Sequence, residues 1–420
     1  MSDIAASHGA FSPALAAPRV ASLQRALLWL TGVAGAVVFV EPSPYELATF
    51  LAIVVMVATG LRLKLALLPL AMLLFLINIG YTISAAGLMG ESRIVMWVMT
   101  SWYMAITAVF FAMAIADDTA ARLDALRRGL ICGAVIAALA GIVGYFSLIP
   151  GTNALFTLYG RAMGPFKDPN VFSAFLVLPA LFVLQGVVSN RFGKALRGTL
   201  ILGVITLALL LAFSRAAWGL FILSAAFMLL MMVLTSRTNA ERSRIVVMAM
   251  VALAAGVALL LILLSLDSVE ALFRQRASFD QSYDEGRFGR FGRHILGARM
   301  ALDLPFGIGP LQFTRYFPED THNSFLNAFM SGGWISGVCY PALILTTIAF
   351  GFRYAFVRAP WQRLYLAVFA AFVGTAGEGF VIDTDHWRHF WMMTGVMWGL
   401  FAANQRWLAR ARSDQIGTGL

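Results

Sequence analysis

Apolar residues in this chain do not alternate with polar ones. They run in unbroken blocks of about 20, each long enough to cross a ~30 Å hydrocarbon core as a helix, and the polar residues gather between the blocks. Twelve blocks are read, at roughly 21–40, 45–61, 65–83, 94–116, 129–149, 170–189, 196–213, 216–235, 245–266, 322–350, 363–382 and 387–405. The second is short and the tenth long, which leaves room for a tilt or a break in either. A membrane-spanning strand alternates with period two over about ten residues. Continuous blocks predict an all-α polytopic membrane protein of about twelve transmembrane helices instead.

The connections are mostly short. The exception is a loop at about 267–321, between helices nine and ten, far longer than a minimal connection. Within it, glycines at 286, 289 and 292 alternate with Arg-Phe pairs and lead into an amphipathic stretch, about 294–304, that ends at Pro305. Such a helix suits the membrane surface. The Ala- and Pro-bearing stretch 10–18 reads as a short loose tail, and the first block as an uncleaved anchor. Composition agrees: 60% of residues are hydrophobic and only 12% charged, against about a quarter charged in soluble proteins. Cys132 and Cys339 fall in or beside apolar blocks. A structural disulfide or a cysteine metal site is disfavoured.

Charge then orients the chain. Twelve spans put both ends on one side. That side collects 19 of the 31 basic residues with six acids, and the other side 12 basic and 15 acidic residues. The basic side is cytoplasmic by the positive-inside rule. This accounts for the net charge of +10 without nucleic acid. The outward cations do not serve topology and need another reason.

Three outward segments hold most of them. Arg215 stands in the very short turn FSRAAW between two apolar blocks. It either snorkels to headgroups or presents its planar fork to a phosphate. Arg287, Arg290 and Arg293 belong to the long loop, where a solvated or headgroup role competes with anion binding. Arg161 and Lys167 flank the turn before the sixth span. Asp168 is placed to cap the helix starting at Pro169; Lys167 has no such duty and can face the same anionic pocket. His322 stands where the tenth apolar block begins, on the outward side, close in topology to all three segments. A helix N-terminus there favours a neutral ring able to accept a proton. His386 and His389, spaced i, i+3 with Asp383 and Asp385 nearby, form a weak metal pattern that packing or interface anchoring explains better. Glu378 and Asp385 are plausible partners for an outward Arg or His.

The stretches GPFKDPNVFSAFLVLPAL (164–181), SRAAWG (214–219), GRFGR with the downstream LPFGIGP (289–310) and THNSFLNAFMSGGWIS (321–336) together resemble the O-antigen ligase and O-antigen polymerase superfamily of bacterial inner-membrane glycosyltransferases. The resemblance implies a metal-independent, inverting enzyme without cofactor. Its donor is an undecaprenyl-diphosphate-linked glycan and its acceptor is lipid A-core or another glycan, beside membrane lipids and with no nucleic acid. It implies diphosphate binding by Arg215 and by Arg290, with the Gly-Arg pattern repeated at Arg287, and it makes His322 the base. Lys167 and Arg161 assist at the diphosphate. Both termini are then cytoplasmic and the site periplasmic. The chain divides into an N-terminal tail (1–20), one transmembrane domain (21–405) with its periplasmic loop, and a C-terminal tail (406–420).

Ligase and polymerase share donor chemistry, so residue types leave the choice between them open, with exopolysaccharide polymerase included. The rival of another class is a transporter for the same lipid. It calls for charges or helix breaks near mid-membrane and for related halves. Here the distinctive charges lie at one face, and the long loop has no counterpart in the first half.

Overall fold

The computed structural model describes residues 13–190, 192–277 and 286–418. Each of the twelve apolar blocks coincides with a helix. The first five are α1 (Pro13–Ala34), α2 (Pro44–Ala58), α3 (Leu68–Ala85), α4 (Ser92–Asp117) and α5 (Thr119–Tyr145). A short helix α6 (Thr152–Phe156) precedes α7 (Pro169–Ser189), α8 (Phe192–Leu211), α9 (Arg215–Leu234) and α10 (Asn239–Leu264). The long loop contributes α11 (Asp267–Ala277) and α12 (Arg290–Asp303). The chain closes with α13 (Ser324–Ala355), α14 (Gln362–Glu378) and α15 (Arg388–Thr418). Among the described residues, eight helices are long and apolar enough to cross a membrane. The only strands among the described residues are a two-residue hairpin, Thr157–Leu158 against Arg161–Ala162.

Two boundaries differ from the sequence reading. The stretch expected as a loose tail at 10–18 is helical from Pro13, and its residues before 13 lie outside the described ones. Alanine-rich sequence favours helix, and proline is tolerated at a helix start. At the other end, α15 continues past 405 to Thr418, so the expected C-terminal tail extends the last span as helix.

Contacts between connections fall into two sets. Lys64 pairs with Asp117, Arg25 with Asp118, and Arg363 with Glu241. These residues lie at or near the helix ends sorted to the basic side. Arg315 pairs with Glu91, and Lys167 and Arg388 with Glu41; all belong to the other side. This is the two-ended division that alternating spans require. α7 lies at the centre, nearly every residue of it buried, whereas α10 is largely exposed along its length.

The long tenth block is broken. Gly333 adopts φ 63°, ψ −160° inside α13, a region open to glycine and strained for other residues. The freed backbone groups are met by the loop after α12. Ile308 and Gly309 N–H donate to the Met330 carbonyl at 2.7 and 3.2 Å, and Trp334 N–H donates to the Pro305 carbonyl at 2.9 Å. A β-carbon at Gly333 would stand 2.2 Å from the Pro305 oxygen. Irregular backbone within a span is tolerated where such partners satisfy it. The break therefore clamps the long loop onto α13.

Candidate functional site

Three arginines stand at the first position of helices at this end of the bundle: Arg215 on α9, Arg290 on α12 and Arg388 on α15. A cation at the positive end of a helix macrodipole is disfavoured by roughly 0.3–1 kcal/mol. An anion beside it reverses the sign, because guanidinium and helix-end N–H groups then act together. At Arg388 the anions are on the chain: its guanidinium binds Glu46, and Glu41 lies 3.7 Å away.

The outward cations separate by environment. Arg161 is buried and donates to the Ala212 carbonyl at 2.7 Å and to Asn170 Oδ1 at 2.7 Å. It thus fixes the turn that presents Arg215. Arg293 is only 2% exposed and donates to the Phe288 carbonyl at 3.1 Å and to Glu319 at 2.8 Å. Arg287 is exposed beside Phe288, and Arg290 is half-buried. Lys167 proves to have a structural duty after all: its ammonium lies 2.7 Å from Glu41. The hydrogen bond from Lys167 holds the Glu41 carboxyl below its ordinary range. Asp168 caps α7 as expected, accepting from Asn170 N–H at 2.7 Å and Val171 N–H at 3.3 Å.

His322 lies two residues before the first turn of α13, with Asn323 as the cap. Its φ of 47° places it in the left-handed region, an uncommon conformation for a residue with a β-carbon. Asp383, in the turn between α14 and α15, holds that conformation. Its carboxylate accepts from Thr321 Oγ1 at 2.9 Å, His322 N–H at 3.0 Å and Asn323 N–H at 2.9 Å. The same carboxylate lies 3.6 Å from His322 Nδ1. The imidazole is half-buried, with Asp383 on one flank.

A second tie joins this turn to α12. His294 Nε2 lies 2.8 Å from the Thr321 carbonyl; since that oxygen only accepts, the ring carries its proton on Nε2. Burial pushes the His294 imidazole below its ordinary pKa, and the nearby Arg290 and Arg293 add to this. Arg290, His294, Thr321, His322 and Asp383 thus form one contiguous set. Arg215 reaches the same end of the bundle on α9. That helix packs on α14, which ends five residues before Asp383.

Asp383 was singled out in the sequence only as a neighbour of His386 and His389. Its partner is His322, 61 residues away. The one legible signal was topological: a short acidic turn on the same side as the histidine. Asp385 hydrogen-bonds Asn327 at 2.8 Å and lies 3.3 Å from His386 Nδ1, so an outward histidine is its partner as expected. Glu378 is buried and neither of its oxygens has a hydrogen bond. His386 packs against Trp97, their ring centroids 4.1 Å apart and the rings tilted by 35°, and His389 packs against Trp387 and Phe175. Among the described residues no cluster of three ligating side chains suits a metal ion.

No curated protein matches the chain. A family model described as O-antigen ligase matches residues 199–340. That span contains three of the four stretches quoted above, with Arg215, Arg290 and His322 among its residues. Over this span, about a third of the chain, the protein is similar to the O-antigen ligase family.

Proposed function

We propose that the protein is a glycosyltransferase of the bacterial inner membrane that moves a glycan from undecaprenyl diphosphate to an acceptor hydroxyl on the periplasmic face, with lipid A-core as acceptor. The observation that carries this reading is the set around His322. The His322 ring has the Asp383 carboxylate 3.6 Å away, its backbone N–H is bound by that carboxylate at 3.0 Å, and the neighbouring Thr321 carbonyl is bound by His294, whose charge state the helix-start Arg290 influences. The family match supports it by covering all three principal residues.

In this reading the diphosphate sits between Arg215 and Arg290. His322 takes the proton of the acceptor hydroxyl as its oxygen attacks the anomeric carbon. The carbon–oxygen bond to the diphosphate breaks, and the arginines stabilise the charge that develops on the departing phosphate oxygen. Asp383 orients the ring and offsets its positive charge once protonated. One displacement from an α-linked donor inverts the anomeric centre. The bond energy of the sugar phosphate drives transfer, so no nucleotide is needed. The arginines answer the diphosphate charge, so transfer persists in EDTA.

The test is a deletion strain complemented with wild type, His322→Ala or Arg215→Ala. Both variants should reach the membrane and leave surface glycan absent; normal surface glycan in either overturns the assignment. Polymer accumulating on undecaprenyl diphosphate in the deletion marks a ligase. Single lipid-linked repeats would mark a polymerase. Product formed by purified protein in detergent, with no sealed compartment, excludes a transport-only role.

A further inference from the structure

Beside His322 lies a cavity of about 130 Å³ lined by Trp97, Leu311, Asp320, Asn327, Asp383, Asp385, His386 and Trp387. Three of the eight are carboxylates, two are tryptophans, and none is lysine or arginine. Asp385 is 3% exposed. One of its carboxylate oxygens binds Asn327 and faces His386, but Oδ1 has no hydrogen-bond partner, and neither does His386 Nε2. A buried carboxylate oxygen without a donor is costly. A ligand bringing O–H or N–H groups into the cavity would relieve that cost.

We propose that this cavity is the subsite for the sugar that receives the glycan, and that it takes a saccharide free of anionic groups, either neutral or amine-bearing. The proposal rests on the glycosyl-transfer reading above. Sugar hydroxyls donate to carboxylates, and the apolar faces of a pyranose suit tryptophan walls. The cavity also places such a ring where the reaction needs it, because Asp383 both lines the cavity and flanks the His322 imidazole. The electrostatics divide the substrates. Asp320, Asp383 and Asp385 face the acceptor, and burial together with Asp383 pushes the Asp320 carboxyl up from its ordinary pKa. Arg290 is absent from the cavity lining, and its charge acts instead on His294, which binds the Thr321 carbonyl. An anionic donor is attracted to the arginine side and repelled from the carboxylate side, so the two substrates cannot exchange places.

Ligand-observed NMR on the purified protein in detergent, without donor, tests this. The probes are methyl glucoside, methyl N-acetylglucosaminide, methyl glucosaminide and methyl glucuronide. The neutral and amino sugars should bind at least about tenfold more tightly than the glucuronide, the scale set by a carboxylate and an anion within about 8 Å at a protein-surface dielectric. Asp320→Asn, a half-buried position where amide replaces carboxylate at equal size, should narrow that gap to about threefold. Equal binding of the glucuronide by wild type, binding of none of the neutral or amino sugars, or a gap unmoved by Asp320→Asn overturns the proposal. Because no donor is present, the result is separable from the transfer reading. Selective sugar binding in a protein that fails to transfer would sink the reading of function and the acceptor role with it, and leave the cavity a saccharide-binding site.

Discussion

Two polar regions share the wall formed by His386 and Trp387, and they are built differently. Around His322 the contacts are short-range and reach the backbone. Asp383 binds two successive N–H groups and a hydroxyl, Asn323 caps α13, and His294 binds the Thr321 carbonyl. Around Arg388 the contacts are ion pairs between side chains. Glu41 and Lys167 are both more than half exposed, and they bridge the loop after α1 to the start of α7. Backbone-directed bonds fix where a side chain points, whereas exposed ion pairs are screened and hold little. The first region has the precision that proton transfer demands. In the second, Arg388 and Glu46 are largely buried, whereas the exposed Glu41–Lys167 pair is a rim that can rearrange without disturbing the first.

The sharpest test of this contrast is His322→Ala, expected to lower transfer by 10² to 10⁴, the range of a general base. The fall should be seen in product from lipid-linked donor in detergent, with the melting temperature unchanged; an equal fall in melting temperature would make the residue structural. Next is Gly333→Ala. A methyl group 2.2 Å from the Pro305 oxygen, on a φ of 63°, should destabilise by about 3 kcal/mol or more and release the loop to protease. Arg293→Met follows. Losing a buried guanidinium that holds Phe288 and Glu319 should cost about 2 kcal/mol, read as a lower melting temperature in detergent.

A pH series probes the His294 link. Burial lowers its folded pKa, so below about 6.5 the unfolded chain binds a proton that the folded chain refuses. The stability is complete above that value and is lost as pH falls through the folded pKa. Melting temperature should therefore drop between pH 7 and 5, and His294→Gln should flatten the drop. A parallel slope in the variant would assign the loss elsewhere. The smallest effect belongs to the rim. Glu41→Gln should cost no more than about 1 kcal/mol and leave transfer within twofold; a tenfold loss of transfer would erase the contrast.

How far the chain could be read follows from the same distinction. Helix positions were legible because apolar blocks and their spacing are local properties. The Asp168 cap and the overlong tenth span were legible for that reason too. Which helix sits at the centre was not. α7 and α10 are both apolar all round, yet one is buried and the other exposed, and a helix without a polar face does not announce its neighbours. The three loop arginines looked alike because they repeat one local pattern. Only the path of the chain across Glu319 draws Arg293 inside and leaves Arg287 out. Asp383 and His322 belong to different turns, and their pairing depends on how α13 meets the α14–α15 turn, which no short window of sequence encodes.

The break in α13 bears on how such proteins are recombined. The loop after α12 supplies the hydrogen bonds that the interrupted helix needs, and the helix supplies the glycine that lets the loop approach. Neither segment is a portable cassette. A chimera that exchanges residues 286–321 alone inherits a helix cut for a different partner. The transferable unit extends through Trp334, and a graft that ends there should be inserted and accumulate where the shorter one is degraded.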